Sequence, residues 1–341
     1  MTYGILPRQD IEKLVMTGAI SGLLNDSAHP PSIQPASLDL CLGETAMRLR
    51  ASFLPGQGFK VSEAVSSIVM HQIDLTGGAV LETGCVYLIP LREGLNLPAD
   101  ILGLANPKSS TGRLDVFTRV ICDGGQQFDA IPAGYSGPIY MEVAPRTFPI
   151  LVRPGDRLGQ IRFRRGEHQP LETQHVSIDL KGAHEGAIIG YRAKRHSGLV
   201  DLQGLKAHDA AEYWQPLYAP NNTLVLDPEE FYILASREAV EIPIDQAAEM
   251  APIAPEIGEF RAHYAGFFDP GFGAVETGGV GSRAVLEVRG RDVPFLLRHG
   301  QAVAKLVFEP MSETPDVLYG AQGSHYQNQG LRLSKHFRSE R

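Results

Sequence analysis

The sequence predicts a mainly β fold with a few short helices, present twice in one chain. Short runs rich in Val, Ile, Leu, Tyr and Phe follow one another closely and are punctuated by Gly and Pro, the pattern of strands joined by turns. A shift of 145 residues then lays one half of the 341-residue chain on the other without a net gap. Val80 to Asp100 falls on Val225 to Asp245, with identities at Val80/Val225, Leu81/Leu226, Tyr87/Tyr232, Arg92/Arg237, Glu93/Glu238, Pro98/Pro243 and Asp100/Asp245. The same shift carries Glu142-Val143 onto Glu287-Val288 and Pro149 to Phe163 onto Pro294 to Phe308. A period of this size is a tandem domain duplication rather than a solenoid.

Within each copy the elements follow from local chemistry. LPAD and IPID end their strands, because proline has no donor for the ladder. Ile11 to Ile20 has apolar positions at helical spacing, with Asp10 as its N-cap. Ala207 to Trp214 reads as a second helix. Many short strands without alternating helices predict a sandwich or closed barrel. The polar, basic stretch GYRAKRHSG places the boundary near Arg195, giving domains 1–195 and 196–341.

Composition narrows the function. A net charge of -8 lacks the basic footprint of a nucleic-acid reader. No apolar run approaches the roughly 20 residues that cross a bilayer, and the N-terminus does not read as a signal peptide. Cys41, Cys85 and Cys122 have neither zinc-ligand spacing nor the pattern of a disulfide framework, which fits a reduced, cytoplasmic setting. The H-x-E and P-C-x-x-C of zinc-dependent cytidine deaminases are missing, as is a P-loop.

The polar motifs point to a phosphorylated polar ligand. Lys108, Ser109, Ser110, Thr111, Gly112 and Arg113 follow LGLANP, where hydroxyls, cations and backbone N–H groups can cradle phosphate oxygens. These residue types also build ordinary turns. In the second copy Lys108, Ser109, Ser110 and Arg113 become Ile253, Ala254, Pro255 and Gly258, while Pro107/Pro252 is kept. The turn is thus built without the polar groups, which favours a chemical role for them in the first copy. Glu142 lies in a strand-like run, where desolvation raises a carboxyl's proton affinity toward the range useful for acid/base work. A structural ion pair with Arg153 or Arg113 is the competing reading, and retention of Glu287 supports it. Asp129 has a counterpart at Asp269, although the following Glu lies 13 residues on in one copy and 18 in the other. His325, Tyr326 and Gln329 lie in an amide-rich tail.

KSSTGR, GYSGPIYMEV, HYQNQG and the upstream SIQPASLDLCLG together resemble the dCTP deaminases of the dUTPase superfamily, and ILPRQDIEKLVMTGAI resembles that family's first helix. The resemblance implies a tandem pair of dUTPase-like distorted jelly-roll barrels and hydrolytic deamination of dCTP to dUTP. It implies Glu142 as the acid/base, Ser109 and Arg113 holding the water, and Lys108 to Arg113 on the triphosphate. Asp129 would hold the deoxyribose, backbone around Tyr140 and Met141 would read cytosine, and Tyr326 and Gln329 would close over the nucleotide. His325 stands where a Lys is frequent, and Lys108 where Arg is common. Magnesium would accompany the triphosphate, and no zinc is expected. The second copy would be catalytically degenerate, and three two-domain chains would form a trimer. A dUTP pyrophosphatase, a bifunctional enzyme and a non-enzymatic nucleotide sensor are the alternatives; dTTP regulation is left open.

Overall fold

The computed structural model describes residues 3–24, 32–167, 169–253, 260–262 (backbone only), 266–320 and 330–338. It is mainly β, with short helical segments between strands. None of the described helices is long and apolar enough to cross a membrane.

The repeat seen in the sequence recurs in the hydrogen-bond register. In the first unit, strands Val86–Asn96 and Ser136–Pro145 run antiparallel, with Tyr87 opposite Val143 and Leu88 opposite Glu142. In the second, Phe231–Val240 and Ser282–Gly290 place Tyr232 opposite Val288 and Ile233 opposite Glu287. Ala105 faces Ile161 as Met250 faces Leu306, and Leu81 faces Ile150 as Leu226 faces Phe295. Each pair moves by the same 145 positions. Pairing register fixes which side chains enter the core, so it is held where loops are free to change.

One strand carboxylate performs the same structural task twice, buried in the first unit and half-buried in the second. Both Glu93 oxygens accept from the Cys41 backbone N–H, at 3.2 and 3.0 Å. Glu238 accepts from the Ser177 N–H at 2.8 Å and from its hydroxyl. Loss of water pushes Glu93 up to about 7.

Three sequence expectations are corrected. The first helix spans Arg8–Met16 with Pro7 as N-cap, while Ile20 lies in a strand. Proline is at home at a helix start, and Asp10 instead pairs with Lys13 inside the first turns. The second helix is a single turn, Ala210–Tyr213, capped by Asp209 accepting from the Ala211 N–H. The chain also joins the second unit well before Arg195. Strand Thr173–Ser177 pairs with Ala302–Pro310, and Gly190–Ala193 pairs with Phe231–Val240. GYRAKRHSG reads as a linker because its cations are exposed in sequence terms. In the fold, Arg192 is tied to Asp227 and Gln215, and Ala193 is buried.

The units are welded together. Trp214, from beyond the boundary, enters the first unit's core, stacked edge-on against Phe148 at 5.3 Å and Phe337 at 5.7 Å. Arg164 of the first unit pairs at 3.0 Å with Glu309, its own counterpart 145 residues on. Arg162, buried, donates to Ala248 O (3.1 Å), Phe268 O (3.2 Å) and Asp269 (3.2 Å). Arg289 reaches back to the fully buried Asp115 and to Thr147 Oγ1. Removing one partner of such a pair strands the other charge, which costs about 3–5 kcal/mol. Arg289→Ala is therefore expected to lower the urea unfolding midpoint markedly, with Asp115→Asn in the same chain restoring part of it. Equal stability of wild type and Arg289→Ala would show that this pair does not hold the units together.

Candidate active site

The KSSTGR loop is shaped by its own backbone. Strand Ile101–Pro107 ends at the proline, and Ser109–Gly112 form a single helical turn after Lys108. The Thr111 and Gly112 N–H groups donate to Lys108 O at 2.9 and 3.0 Å, and Arg113 N–H donates to Ser109 O at 3.1 Å. Ser110, Thr111 and Gly112 are buried, and Ser109 is half-exposed. The C-terminal segment lies on this loop: Ser334 Oγ donates to Ser110 O at 2.9 Å, and Arg113 Nη1 donates to Arg332 O at 3.2 Å.

Arg113 does not meet Glu142. It points across to the second unit, where its Nε lies 3.7 Å from Glu287 Oε1, with both side chains almost completely buried. Burial pushes Glu287 up to about 8, against the opposing pull of Arg113. Glu287 Oε2 has no hydrogen-bond partner among the described residues. A buried carboxyl with one free oxygen, a high proton affinity and a guanidinium beside it suits proton transfer.

Lys108 Nζ is bonded to Asp39, and Arg157 Nη1 lies 3.9 Å from the other Asp39 oxygen. Asp269 of the second unit is buried and paired with Arg162. Burial raises it, Arg162 opposes that, and the charges of Asp39 and Lys108 both act on it, so it borders the same region. The second unit docks on the loop here: Gly266 N–H donates to Asn106 Oδ1 at 3.3 Å, and an added Cβ on Gly266 would stand 3.9 Å from Ser109 Oγ.

Glu142 has a different setting. It is buried and lies 3.8 Å from Arg119, with hydrogen bonds from Ser52 and the Phe53 backbone, yet its Oε2, like that of Glu287, has no hydrogen-bond partner among the described residues. Burial raises it, and those bonds and Arg119 oppose the rise. Arg119 stacks on Phe128 at 4.5 Å. Asp129 stands in the same unit and is pushed up to about 7 by loss of water, with Arg119 and Glu142 both acting on it. Its Oδ1 accepts from Val120 N–H at 2.7 Å. Met141 is in the core, and Tyr140 is half-buried beside Phe53 and Phe128. Ser109, Arg113 and Lys108 are thus brought together with one another, but with Glu287 and Asp269 rather than with Glu142. The Asp129/Asp269 correspondence also fails. Ala105 N–H donates to Asp129 O, whereas Met250 N–H donates to Gly266 O. Ile131 faces Gly103 as Phe268 faces Ala248, so Asp269 takes the place of Pro132. His325, Tyr326 and Gln329 lie outside the described residues.

The sequence reading gave Glu287 an architectural role and Glu142 the chemical one. The structure sets Glu287 against a partner from the other unit, in a copy whose own loop keeps none of Lys108, Ser109, Ser110 or Arg113.

Comparison with known proteins places the chain in the class of nucleotide deaminases. The model for the N-terminal domain of 2'-deoxycytidine 5'-triphosphate deaminase matches residues 2–167, and that for its C-terminal domain matches residues 171–337. A crystal structure of 2'-deoxycytidine 5'-triphosphate deaminase from Agrobacterium tumefaciens is 52% identical, with a TM-score of 0.86, over 91% of this chain and 100% of that one. A dCTP deaminase from Haloarcula marismortui is 30% identical over 136 residues, 38% of this chain and 65% of that protein. A "dCTP deaminase, dUMP-forming" from Coprothermobacter proteolyticus is 26% identical over 155 residues, 45% of this chain and 77% of that protein. The chain belongs to the dCTP deaminase family of enzymes.

The setting of Glu287 has a consequence for stability. Its carboxyl binds a proton more tightly in the fold, at about 8, than at the ordinary 4.5. The associated stability is complete below the ordinary value and is lost as pH rises toward 8. Glu287→Gln does not titrate, so its melting temperature should gain on the wild type between pH 5 and 8. A constant difference across that range would contradict the buried, proton-retaining acid.

Proposed function

We propose that this protein hydrolyses dCTP to dUTP and ammonia in a site shared by its two units, with Glu287 as the acid/base. The observation that carries this is the buried Arg113–Glu287 approach of 3.7 Å, which sets the polar loop of one unit against the acid of the other. Glu287 takes a proton from water, and the resulting hydroxide adds to C4 of the cytosine. The carboxyl delivers that proton to ring N3, then takes the proton of the new C4 hydroxyl and passes it to the amino group; the C4 carbonyl forms as the C4–N bond breaks, and ammonia leaves. Arg113 balances the charge on Glu287 as it changes, and Ser109 orients the water. Lys108 and Ser110 to Gly112 face the phosphates. Asp269, at the edge of the loop, takes the sugar-binding part first assigned to Asp129.

Both units are read as copies of a dUTPase-like distorted jelly roll, in keeping with their shared register. Water activation is assigned to a carboxyl rather than to zinc. Burial pushes the Cys41 and Cys122 thiols up to about 12 and about 11, which disfavours the thiolates that zinc takes. Magnesium would enter as part of the substrate, on the triphosphate. A second reading, with further hydrolysis to dUMP, is favoured by the Coprothermobacter relative that bears that description.

A general base contributes about 10²–10⁴-fold to rate. Glu287→Gln is expected to lose activity by that order while still binding nucleotide, and Glu142→Gln to retain most of it. The reverse pattern would return the chemistry to the first unit. Chromatography of the dCTP reaction separates dUTP from dUMP and decides between the two readings; absence of either product would remove both. Since both halves of the site lie in one chain, activity per chain should not fall on dilution, whatever assembly light scattering reports. A trimer remains the assembly we expect.

A further inference from the structure

We propose that Arg162 is a positioning residue for sugar recognition: from the first unit it holds Asp269 of the second as an acceptor for the 3′-hydroxyl of the nucleotide. This deepens the preceding reading and rests on it for the part Asp269 plays. The 3′-hydroxyl is the one free hydroxyl on the sugar of a 2′-deoxynucleoside 5′-triphosphate. Every nitrogen of the buried Arg162 guanidinium is committed. Its Nε donates to Ala36 O at 3.3 Å within its own unit. Its Nη1 donates to Ala248 O at 3.1 Å, and its Nη2 to both Phe268 O and Asp269 Oδ1 at 3.2 Å. The guanidinium also lies over the Phe267 ring, 4.2 Å from its centroid. One side chain therefore touches three consecutive residues of the second unit, by ring face, carbonyl and carboxylate. A planar fork with fixed donor directions sets orientation as well as charge, which the ammonium of a lysine does not.

The same strand pair anchors this acid and the KSSTGR loop. Gln160, two residues before Arg162, lies opposite Asn106 at the end of the strand that leads into the loop. Asn106 Oδ1 accepts from Gly266 N–H at 3.3 Å, three residues before Asp269. Burial favours the neutral form of Asp269, and Arg162 opposes it. Glu249 and Glu309 also act on Arg162, but Glu309 is bonded to Arg164, and among the described residues Asp269 is the carboxylate that Arg162 bonds. An ionised carboxylate only accepts, through two oxygens, so a bond from Arg162 leaves capacity for a sugar hydroxyl. The repeat shows that the two groups belong together. Arg162 lies opposite Leu104, and Val307, 145 positions on, lies opposite Glu249, so the second unit has no guanidinium at this place. Asp269 in turn stands where the first unit has Pro132. Cation and acid each occur once, in different units, and the fold brings them into contact. Docking of the units alone could use such a pair. The two roles differ in their effect on a pair of ligands that differ by one hydroxyl, to which docking is indifferent.

α,β-Imido-dUTP and its 3′-deoxy counterpart test this without turnover, because the base is already deaminated and the bridging nitrogen resists cleavage. Calorimetry on the full-length protein should show the compound with the hydroxyl binding roughly tenfold or more tightly than the one without, the effect of a hydrogen bond to a charged group. In Arg162→Lys that ratio should fall to near unity, as it should in Asp269→Asn, and the double variant should show no further loss. In Phe267→Leu, which loosens the guanidinium without stranding Asp269, the ratio should fall about threefold. Melting temperatures identify any variant that is misfolded. An unchanged ratio in folded Arg162→Lys, or in Phe267→Leu if the lysine variant does not fold, would overturn the proposal and leave the deamination reading standing. A ratio lost in these variants of a protein that does not deaminate dCTP would support the proposal and remove that activity instead. Equal binding of the two compounds to the wild type, or none, would remove the sugar-binding part of Asp269 and this proposal with it.

Discussion

The interior contact between Arg113 and Glu287 is the constraint around which the rest is arranged. A guanidinium and a carboxyl, each almost without solvent, approach from different units to 3.7 Å. Neither is tolerable alone at that depth. Their meeting requires the units to be held in one orientation, and that is what the surrounding contacts supply. Arg162 is anchored on two carbonyls and Asp269, Arg164 pairs with Glu309, and Arg289 reaches Asp115 beside the loop. Trp214 and Phe337 fill the space against Phe148. Rigidity here serves the site, because a proton-transfer group must hold its geometry more closely than a core contact needs to.

The duplication explains how two similar units arrive at different chemistry. Strand pairing is conserved to the residue, as with Leu88–Glu142 and Ile233–Glu287. Hairpins are not. Between the strands that flank them, one unit places Asp129 where the other has Gly266, and Pro132 where the other has Asp269. A loop's backbone bonds to water or to its neighbours, so its length and polar content drift at little cost. The register of a strand cannot drift without turning its core face outward.

This difference decides what was legible in the sequence. Apolar spacing and the 145-residue register reveal strands, their pairing and the repeat, because each is a local or periodic constraint. The KSSTGR loop was also legible, since its second copy keeps the proline and drops the polar groups. Which acid it faces was not. A shift compares equivalent positions and says nothing about which unit a side chain points into; Glu142 was chosen for its desolvated strand setting and for the family resemblance of GYSGPIYMEV. The boundary near Arg195 failed for a related reason. Arg192 reads as solvated linker until the distant Asp227 is brought beside it.

Glu142 and Glu287 then show one problem solved in two ways. Each occupies the same strand position, each is buried, and burial raises the proton affinity of both. In the first unit the carboxyl is answered within its own half, by Arg119, Ser52 and the Phe53 backbone, and hydrogen bonds of this kind favour its charged form. In the second the answer comes from Arg113 of the other unit, at 3.7 Å against 3.8 Å for Arg119 and Glu142, and among the described residues Oε2 of each acid has no hydrogen-bond partner. What separates the two acids is therefore what surrounds them rather than an oxygen that one has free and the other has not. Glu287 stands against Arg113 of the KSSTGR loop, in a place bordered by Asp269 and by the C-terminal segment that Arg113 also touches, whereas Glu142 is answered within its own half. On the proposed function, retention of an acid at this position is architectural in one unit and chemical in the other. A single sequence position carries both meanings, and only the identity of its neighbours separates them.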